Sequence, residues 1–347
     1  MSDETIPSLI KDELELENIL TRPGSELVGM IRTLKSPLVI LGAGGKMGPT
    51  LAVLARRAAQ EASHPLDIVA VSRFGNNSAR SWLEQRGVRT HTADLLDRRA
   101  TESLPDSLNV IYLAGQKFGT KENPAATWAA NTLAPAHAAE RYCGSKIVAL
   151  STGNVYPFVS INSPGASESN DLTPLGEYAN AAVARERIFE FFAARQGTPM
   201  ALLRLSYAID LRYGVLHDIA RRVWDSAPVN IDSGWFNCIW QGDANDLIVR
   251  SFALASNPPT TLNLTASCMC SVRDVALRFS ELLDRPVQFV GAESDTALLS
   301  DTRHLYKKLG PAQTSLESMI LWTAHWVRNG GASLNKPTHF DVRDGKY

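Results

Sequence analysis

The chain has 347 residues, of which 44% are hydrophobic and 20% are charged, and its formal net charge is −1. This composition excludes a disordered chain and provides no excess charge for attracting nucleic acid or an anionic membrane. No apolar run reaches the ~18 residues that span a bilayer, and the acidic N-terminus lacks a signal-peptide pattern. We therefore expect a cytoplasmic globular protein that binds neither nucleic acid nor membrane.

The four cysteines and seven histidines indicate neither a disulfide framework nor a metal site. Cys268 and Cys270 form one CxC pair without a second pair, and no two histidines have HxH or HxxxH spacing. A structural zinc site needs four such ligands close together. We expect no bound metal.

The first 36 residues precede the first strong strand pattern. Their apolar positions recur at helical spacing on either side of the sequence TRPG at 21–24, which predicts two short helices. We interpret residues 1–36 as a helical N-terminal extension.

From residue 37 to residue 208, short apolar strands alternate with helices. The strands are predicted at 37–42, 67–72, 88–91, 109–115, 146–152 and 199–208, and the helices near 49–61, 78–86, 124–143 and 174–197. Strands separated by helices of this length are typical of a doubly wound parallel sheet. The predicted fold class is therefore α/β, with a Rossmann-type domain over 37–208.

After residue 208 the regular alternation weakens. Helices are predicted near 215–225, 243–255, 271–284 and 314–328, around a polar aromatic stretch at 232–240. This pattern favours a smaller α+β portion over 209–331, followed by a polar tail over 332–347.

A glycine turn lies directly between the first strand and its helix. Gly42, Gly45 and Gly48 have GxxGxxG spacing, which permits a tight turn, close approach of a diphosphate, and close packing of helix on strand. The helix N-terminus would add unpaired N–H groups and a positive dipole. The pattern predicts dinucleotide binding by Gly42, Gly44, Gly45, Lys46, Met47 and Gly48.

The end of the second strand bears on the choice of cofactor. Dinucleotide sites that prefer NAD usually place a carboxylate there to bind the ribose 2′-hydroxyl. This chain has Ser72 and Arg73 instead, and an arginine attracts a 2′-phosphate. Lys46 in the turn favours the same cofactor. We therefore predict NADP as the preferred cofactor, with NAD as the alternative.

With the glycine turn and the segment EYANAAVARER at 177–187 in view, residues 37–330 resemble the extended short-chain dehydrogenase/reductase superfamily. That superfamily includes sugar-nucleotide epimerases and dehydratases. The resemblance implies that residues 209–331 bind the substrate and that a homodimer forms through helices 124–143 and 174–197. It also implies site residues: Asp94 and Leu95 at the adenine; Leu113, Ala114, Gly115 and Lys117 along the pyrophosphate and ribose; Asn131 on the following helix; and Thr152 at the substrate oxygen.

The catalytic motif of this superfamily is YxxxK, and here Tyr178 is followed four residues later by Ala182. Residues i and i+4 share a helix face, so the motif lysine normally lies beside the tyrosine. Free tyrosine titrates near pH ~10, and a neighbouring cation favours its deprotonation. Without that cation, Tyr178 is a poorer base but remains a proton donor. Lys117 is the preferred replacement, because it should approach the cofactor. Arg185 is less favoured, because it lies about two turns, or ~10 Å, from Tyr178.

Three interpretations of function stay open. The protein is a redox-active oxidoreductase, an epimerase, dehydratase or lyase whose bound cofactor cycles internally, or a redox-inactive nucleotide sensor or scaffold. The sequence at 236–238, Phe-Asn-Cys, lacks the arginine–aspartate pair often found there in nucleotide-sugar enzymes. This difference argues against a nucleotide-diphosphate handle and allows a free sugar, a sugar acid or another small hydroxy or carbonyl compound as the substrate.

Overall fold

The structure is a computed structural model that describes residues 7–75, 77–336 and 338–346. The helices in these residues are α1 (Glu13–Leu20), α2 (Ser25–Ile31), α3 (Gly48–Glu61), α4 (Asn77–Gln85), α5 (Arg98–Glu102), α6 (Pro124–Arg141), α7 (Glu177–Gln196), α8 (Val215–Trp224), α9 (Gln241–Arg250), α10 (Val272–Leu283), α11 (Arg303–Leu309) and α12 (Leu316–Arg328). Short 3₁₀ turns follow at Gly153–Val155 and Ser251–Leu254.

The strands fall into one large sheet and several short pairs. They are β1 (Leu38–Leu41), β2 (Ile68–Ser72), β3 (Arg89–Thr92), β4 (Asn109–Tyr112), β5 (Lys146–Thr152), β6 (Val159–Ser160), β7 (Met200–Leu205), β8 (Ala208–Ile209), β9 (Val229–Asn230), β10 (Trp235–Asn237), β11 (Ile239–Trp240), β12 (Thr260–Leu264), β13 (Met269–Ser271), β14 (Phe289–Val290) and β15 (Thr296–Ala297).

The large sheet has seven parallel strands in the order β3-β2-β1-β4-β5-β7-β12. Successive side chains of a strand point to opposite faces. In β1, Leu38 and Ile40 therefore pack into a core with α2, α3 and α9, whereas Val39 and Leu41 pack into another with α6 and α7. Both faces of the sheet are covered, which confirms the predicted doubly wound α/β class.

Local sequence sets several helix ends. The Asn123 side chain accepts a hydrogen bond from the Ala126 amide at the start of α6, and Pro124 follows at the first helical position. Gly197 ends α7 in the left-handed region, with φ of 72°. Ser271 and Ser315 cap α10 and α12 through their hydroxyls.

One strand of the large sheet lies beyond the predicted domain boundary at residue 208. β12 pairs in parallel with β7, from Thr260↔Ala201 to Leu264↔Leu205. The predicted division therefore needs a correction, because residues 260–264 return from the C-terminal portion to the edge of the sheet. The remainder of that portion has its own core, in which α8, α10 and α12 pack together around Trp240 and Trp322.

The two predicted N-terminal helices are present as α1 and α2, and they belong to the folded body. Leu27 and Ile31 of α2 join the core beside α3 and α9, while Leu16 and Leu20 of α1 join the C-terminal core. The Glu17 carboxylate also accepts a hydrogen bond from Trp82 at 2.8 Å. Residues 1–6 of the predicted extension lie outside the described residues.

The polar C-terminal segment packs beside the carboxyl ends of the strands of the large sheet. Phe340 is buried in the C-terminal core, and Thr338 donates its amide to Asp218 at 2.8 Å. Arg343 donates to the Thr296 carbonyl at 2.8 Å. Residues 337 and 347 of the predicted tail lie outside the described residues. In the described part of the chain, no helix is both long enough and apolar enough to cross a membrane.

Candidate cofactor and active site

The glycine turn follows β1 at the point where the strand order reverses, with β2 on one side and β4 on the other. Ligands of doubly wound sheets bind at such a switch point. Gly42 has φ of +82°, and a Cβ added there would lie 2.6 Å from the Ala114 amide nitrogen. A Cβ on Gly48 would lie 2.4 Å from the Ala43 carbonyl oxygen. Both positions therefore require glycine, one for backbone conformation and one for close packing.

Helix α3 begins at this turn without a side-chain cap among the described residues. The first N–H groups of a helix have no partner within the helix, so an uncapped N-terminus that faces a cleft suits an anion. Gly42, Gly45 and Leu113 line two cavities, one on either side of the turn. These features fit a dinucleotide whose diphosphate lies at the turn.

The cavity on the β2 side of the turn has the residues predicted to hold adenosine. Ser72, Arg73, Asp94 and Leu95 line it, together with Gly44. Arg73 is well exposed, and its Nη1 lies 4.0 Å from the Asp94 Oδ2 atom. Such an exposed pair is weak.

Lys46 does not lie where its predicted role in NADP selection requires. Its Nζ atom donates to the Ala208 carbonyl at 2.8 Å and lies 3.7 Å from the centre of the Tyr213 ring. The side chain therefore lines the second cavity, on the far side of the turn from Arg73. The argument for NADP from Lys46 is wrong, because an ammonium in this position cannot contact the adenosine end.

The segment after β4 lies beside the turn. Leu113, Ala114 and Gly115 line the cavity on the β2 side, and Lys117 lines the second cavity. Asn131 is fully buried behind this segment and donates to the Gln116 carbonyl at 3.0 Å. Asn131 therefore holds the segment after β4 in position.

Arg185 reaches the same segment, although its distance along the helix from Tyr178 made it the less favoured cation. Its Nη1 atom donates to the Ala114 carbonyl and to Asn131 Oδ1, each at 3.2 Å. Its long side chain extends from α7 to the segment after β4 and not along the helix toward Tyr178. Arg185 thus brings a buried positive charge beneath the segment.

The three predicted catalytic residues come from three elements. Thr152 ends β5, Tyr178 lies in the first turn of α7, and Lys117 follows β4. The Lys117 Nζ atom lies 6.0 Å from the centre of the Tyr178 ring, and Tyr178 is 8% exposed. Thr152 donates its hydroxyl to Asn154 Oδ1 at 3.0 Å. Burial lowers the pKa of Lys117 to about 8, so this amine is a cation that loses its proton readily.

A buried polar network that the sequence analysis missed lies under these residues. Arg204 of β7 pairs with Glu186 of α7 at 2.7 Å and donates to the Tyr156 hydroxyl at 2.7 Å. Glu186 also accepts from the Ser151 hydroxyl, and Tyr156 donates to Asn263 Oδ1 at 2.7 Å. Burial raises the pKa of Tyr156 to about 12, and its hydroxyl is committed to this network. The network joins α7 to β5, β7 and β12.

Several other residues have structural contacts. Ala182, in the position of the motif lysine, is fully buried. Arg212 pairs with Asp210 at 2.8 Å, and Trp240 packs edge-to-face on Trp322 with ring centres 5.1 Å apart. Among the described residues, no group of three or more His, Cys, Asp or Glu side chains is arranged to hold a metal ion.

The strand order, the two covered faces and the glycine turn define a Rossmann-type α/β protein. The family model described as "NAD dependent epimerase/dehydratase family" matches residues 38–215. The chain belongs to that family. This assignment confirms the resemblance to extended short-chain dehydrogenases/reductases drawn from the sequence.

Solved structures with the same fold share little sequence with this chain. The UDP-glucose 4-epimerase of Thermotoga maritima with UDP-glucose has a TM-score of 0.68 and 20% identity, covering 85% of this chain and 99% of that one. The dTDP-glucose 4,6-dehydratase DesIV of Streptomyces venezuelae, with NAD and TYD bound, has a TM-score of 0.71 and 16% identity, covering 84% and 97%. An epimerase of Methanothermobacter thermautotrophicus has a TM-score of 0.72 and 16% identity, covering 90% and 100%. A search of curated protein sequences found no match.

Proposed function

We propose that the protein is an NAD(P)-dependent oxidoreductase or epimerase acting on a sugar, a sugar acid or a related small hydroxy or carbonyl compound. Tyr178 gives or accepts the proton, and Thr152 orients the substrate oxygen. The observation that carries this proposal is the meeting of Thr152, Lys117 and the glycine turn at one cavity, with Tyr178 beside Lys117.

When bound, the nicotinamide accepts or supplies the hydride. The proton that accompanies it moves at the phenol oxygen of Tyr178, and a nearby positive charge favours the deprotonated form of a phenol. Lys117 is the cation that we assign to this role in place of the missing motif lysine. Thr152 donates its hydroxyl proton to the substrate oxygen in place of Asn154 Oδ1, which accepts that proton in the structure.

The cofactor that we propose is NADP in preference to NAD. Support comes from Arg73, whose exposed guanidinium lines the adenosine cavity and whose neighbour Asp94 pairs with it only weakly. A 2′-phosphate would give Arg73 a stronger, charge-assisted partner. The neighbouring DesIV structure contains NAD, so both cofactors need to be compared directly.

Internal cycling of the cofactor is the second candidate function. It is favoured by family membership, because the neighbouring proteins include a 4-epimerase and a 4,6-dehydratase. Mass spectrometry of the purified protein distinguishes the two. A retained nucleotide with no net change in its redox state over many turnovers supports epimerisation or dehydration. A cofactor that exchanges each turnover supports net oxidation or reduction.

Tyr178→Phe tests the proposal directly. If Tyr178 transfers the proton, this change lowers hydride transfer between NAD(P)H and a panel of sugars and sugar acids by ~10²-fold or more. The matched control is Tyr142→Phe, because Tyr142 is buried and its hydroxyl donates to the Pro105 carbonyl at 3.1 Å. It lies before the start of β5 at Lys146, whereas Thr152 lies at the other end of that strand. Turnover of Tyr178→Phe within threefold of wild type contradicts the role. Cofactor binding without any hydride exchange in the wild type supports a sensor or scaffold instead.

A homodimer through α6 and α7 completes the proposal. Both helices are rich in alanine, and their outward sides expose the apolar side chains of Trp128, Leu133 and Phe191. Exposed apolar side chains grouped on two adjacent helices favour a contact with a second copy.

A further inference from the structure

The side chain of Lys46 is an unusual feature of the glycine turn. An ammonium has three N–H donors. In the described part of the chain, Lys46 Nζ has one hydrogen-bond partner, the Ala208 carbonyl at 2.8 Å, and it packs over the Tyr213 ring. Its remaining donors face the cavity that Thr152 and Lys117 also line.

The carboxylates nearest to Lys46 are committed elsewhere. Asp210 pairs with Arg212 at 2.8 Å, and Asp218 accepts the amide of Thr338 at 2.8 Å. Lys117 adds a second positive charge on the same cavity and repels that of Lys46. Burial lowers the pKa of Lys46 to about 7 and that of Lys117 to about 8. A bound anion would favour the protonated form of both amines.

The chain itself limits the size of what enters this cavity. Its volume is about 270 Å³, and Thr338 of the C-terminal segment forms part of its wall. The backbone at Gly345 packs against Leu175 and Gly176, immediately before Tyr178. Arg343 and Gly345 also line the adjoining cavity beside Asn154. The C-terminal segment therefore forms part of the wall of the space that a substrate would enter.

We infer that Lys46, with Lys117, binds a carboxylate of the substrate, so that the substrate is a small nucleotide-free hydroxy acid or sugar acid. The inference rests on the proposed function, because it names the substrate class of that same site. Binding of the carboxylate adds a negative charge beside Lys46, beyond those of Asp210 and Asp218, and drives its amine to the protonated form.

Calorimetry with the cofactor-loaded full-length protein tests this assignment. D-glucuronate and D-galacturonate are titrated beside D-glucose and D-galactose at pH 7.5, in two buffers that differ in ionisation enthalpy. We expect at least one acid to bind tenfold or more tightly than its parent sugar and to take up a fraction of a proton. Lys46→Met removes both effects. Lys46→Arg keeps the affinity but loses the proton uptake, because arginine is always charged. The control Lys307→Met, on the surface of α11, changes neither.

A failure of this inference and a failure of the proposed function give different results. If NADP and NAD both fail to bind to the wild type, the proposed function itself is wrong. If the cofactor binds but neither acid binds better than its parent sugar, the carboxylate assignment is wrong and the proposed function stands. If Lys46→Met weakens only cofactor binding, Lys46 serves the cofactor and the inference is overturned. Tenfold tighter binding of D-glucose 6-phosphate than of either acid also overturns it.

Discussion

Ala182 lies one helical turn after Tyr178, where the family motif has its lysine, and three other cations lie around this part of the site. Lys117 is 6.0 Å from the Tyr178 ring, Arg185 lies beneath the segment after β4, and Lys46 packs on Tyr213. Arg185 is buried and Lys46 and Lys117 are half-buried, so their charges act in a medium less polar than water, where each is stronger. The positive charge around Tyr178 is thus distributed over other elements.

Arg73 is the residue that we expect to select the cofactor. Arg73→Ala removes the guanidinium that would pair with a 2′-phosphate, so NADP affinity falls by about tenfold while NAD affinity is unchanged. Binding of both nucleotides is measured by calorimetry on the same preparations. The control is Arg89→Ala, since Arg89 is an exposed arginine on the neighbouring strand whose partner is Asp67. An equal loss of affinity for NAD and NADP contradicts a role in selection.

At the scale of elements, the first turn of α7 is held in place by the network under it. Glu186 and Arg204 are 1% and 5% exposed, and their pair joins α7 to β7. Because Tyr178 lies two turns before Glu186 on the same helix, the network fixes the position of Tyr178 relative to Thr152. Ser151, next to Thr152, bonds to the same carboxylate.

Removing one partner of this buried pair leaves the other charge without compensation. Glu186→Gln is therefore expected to lower the free energy of unfolding by about 3–5 kcal/mol. The matched control is Glu190→Gln on the same helix, whose pair with Arg187 is exposed and contributes less than about 1 kcal/mol. Urea denaturation measures both variants. If the two substitutions lower the free energy of unfolding equally, the buried pair contributes no more to stability than the exposed pair.

The C-terminal segment is a structural element of the site despite its polar sequence. Phe340 anchors it in the C-terminal core, and Thr338 and Gly345 lie at the cavities. Phe340→Ala is expected to cost about 3 kcal/mol of stability, as for other buried phenylalanines. Leu334→Ala, at an exposed position four residues before Thr338, is the control and should cost less than about 0.5 kcal/mol. Thermal and urea unfolding measure the stability of both variants. If both lose the same free energy of unfolding, the C-terminal segment is not packed on the core through Phe340.

At the scale of the whole molecule, the parallel sheet supplies the cofactor turn and the C-terminal portion closes the cavity beside it. β12 ties the two together, because it follows α9 in the chain and yet pairs with β7. Movement of the C-terminal portion as an independent domain is restricted by this strand and by the N-terminal helices, which contribute to both cores.

The proposed dimer predicts a mass in solution of twice the 37.9 kDa of one chain. Leu133 and Phe191 are 52% and 56% exposed on α6 and α7. Phe191→Glu should therefore convert the dimer to a monomer, since an unpaired charge in an apolar interface is costly. Leu277→Glu, at an exposed position of α10, should not. Light scattering at matched concentrations reads the mass, and a wild-type mass of one chain refutes the dimer.

Patterns local in sequence determined much of this protein. The continuous apolar run of β1, the glycine spacing at 42–48 and the strand–helix alternation predicted the fold class, because each depends on neighbouring residues alone. Two short helices, α5 and α11, and the edge strand β12 were not predicted. They are short, and β12 is defined by pairing with a strand almost 60 residues earlier.

The positions of the charged side chains around the glycine turn depend on tertiary contacts alone. Sequence position put Lys46 with the adenosine and Arg185 too far from the site, but long side chains are oriented by what they pack against. The Ala208 carbonyl and the Tyr213 ring hold Lys46 at one end of the cleft, and Asn131 holds Arg185 beneath it. Those partners are between 50 and about 170 residues away along the chain, so only folding brings them together.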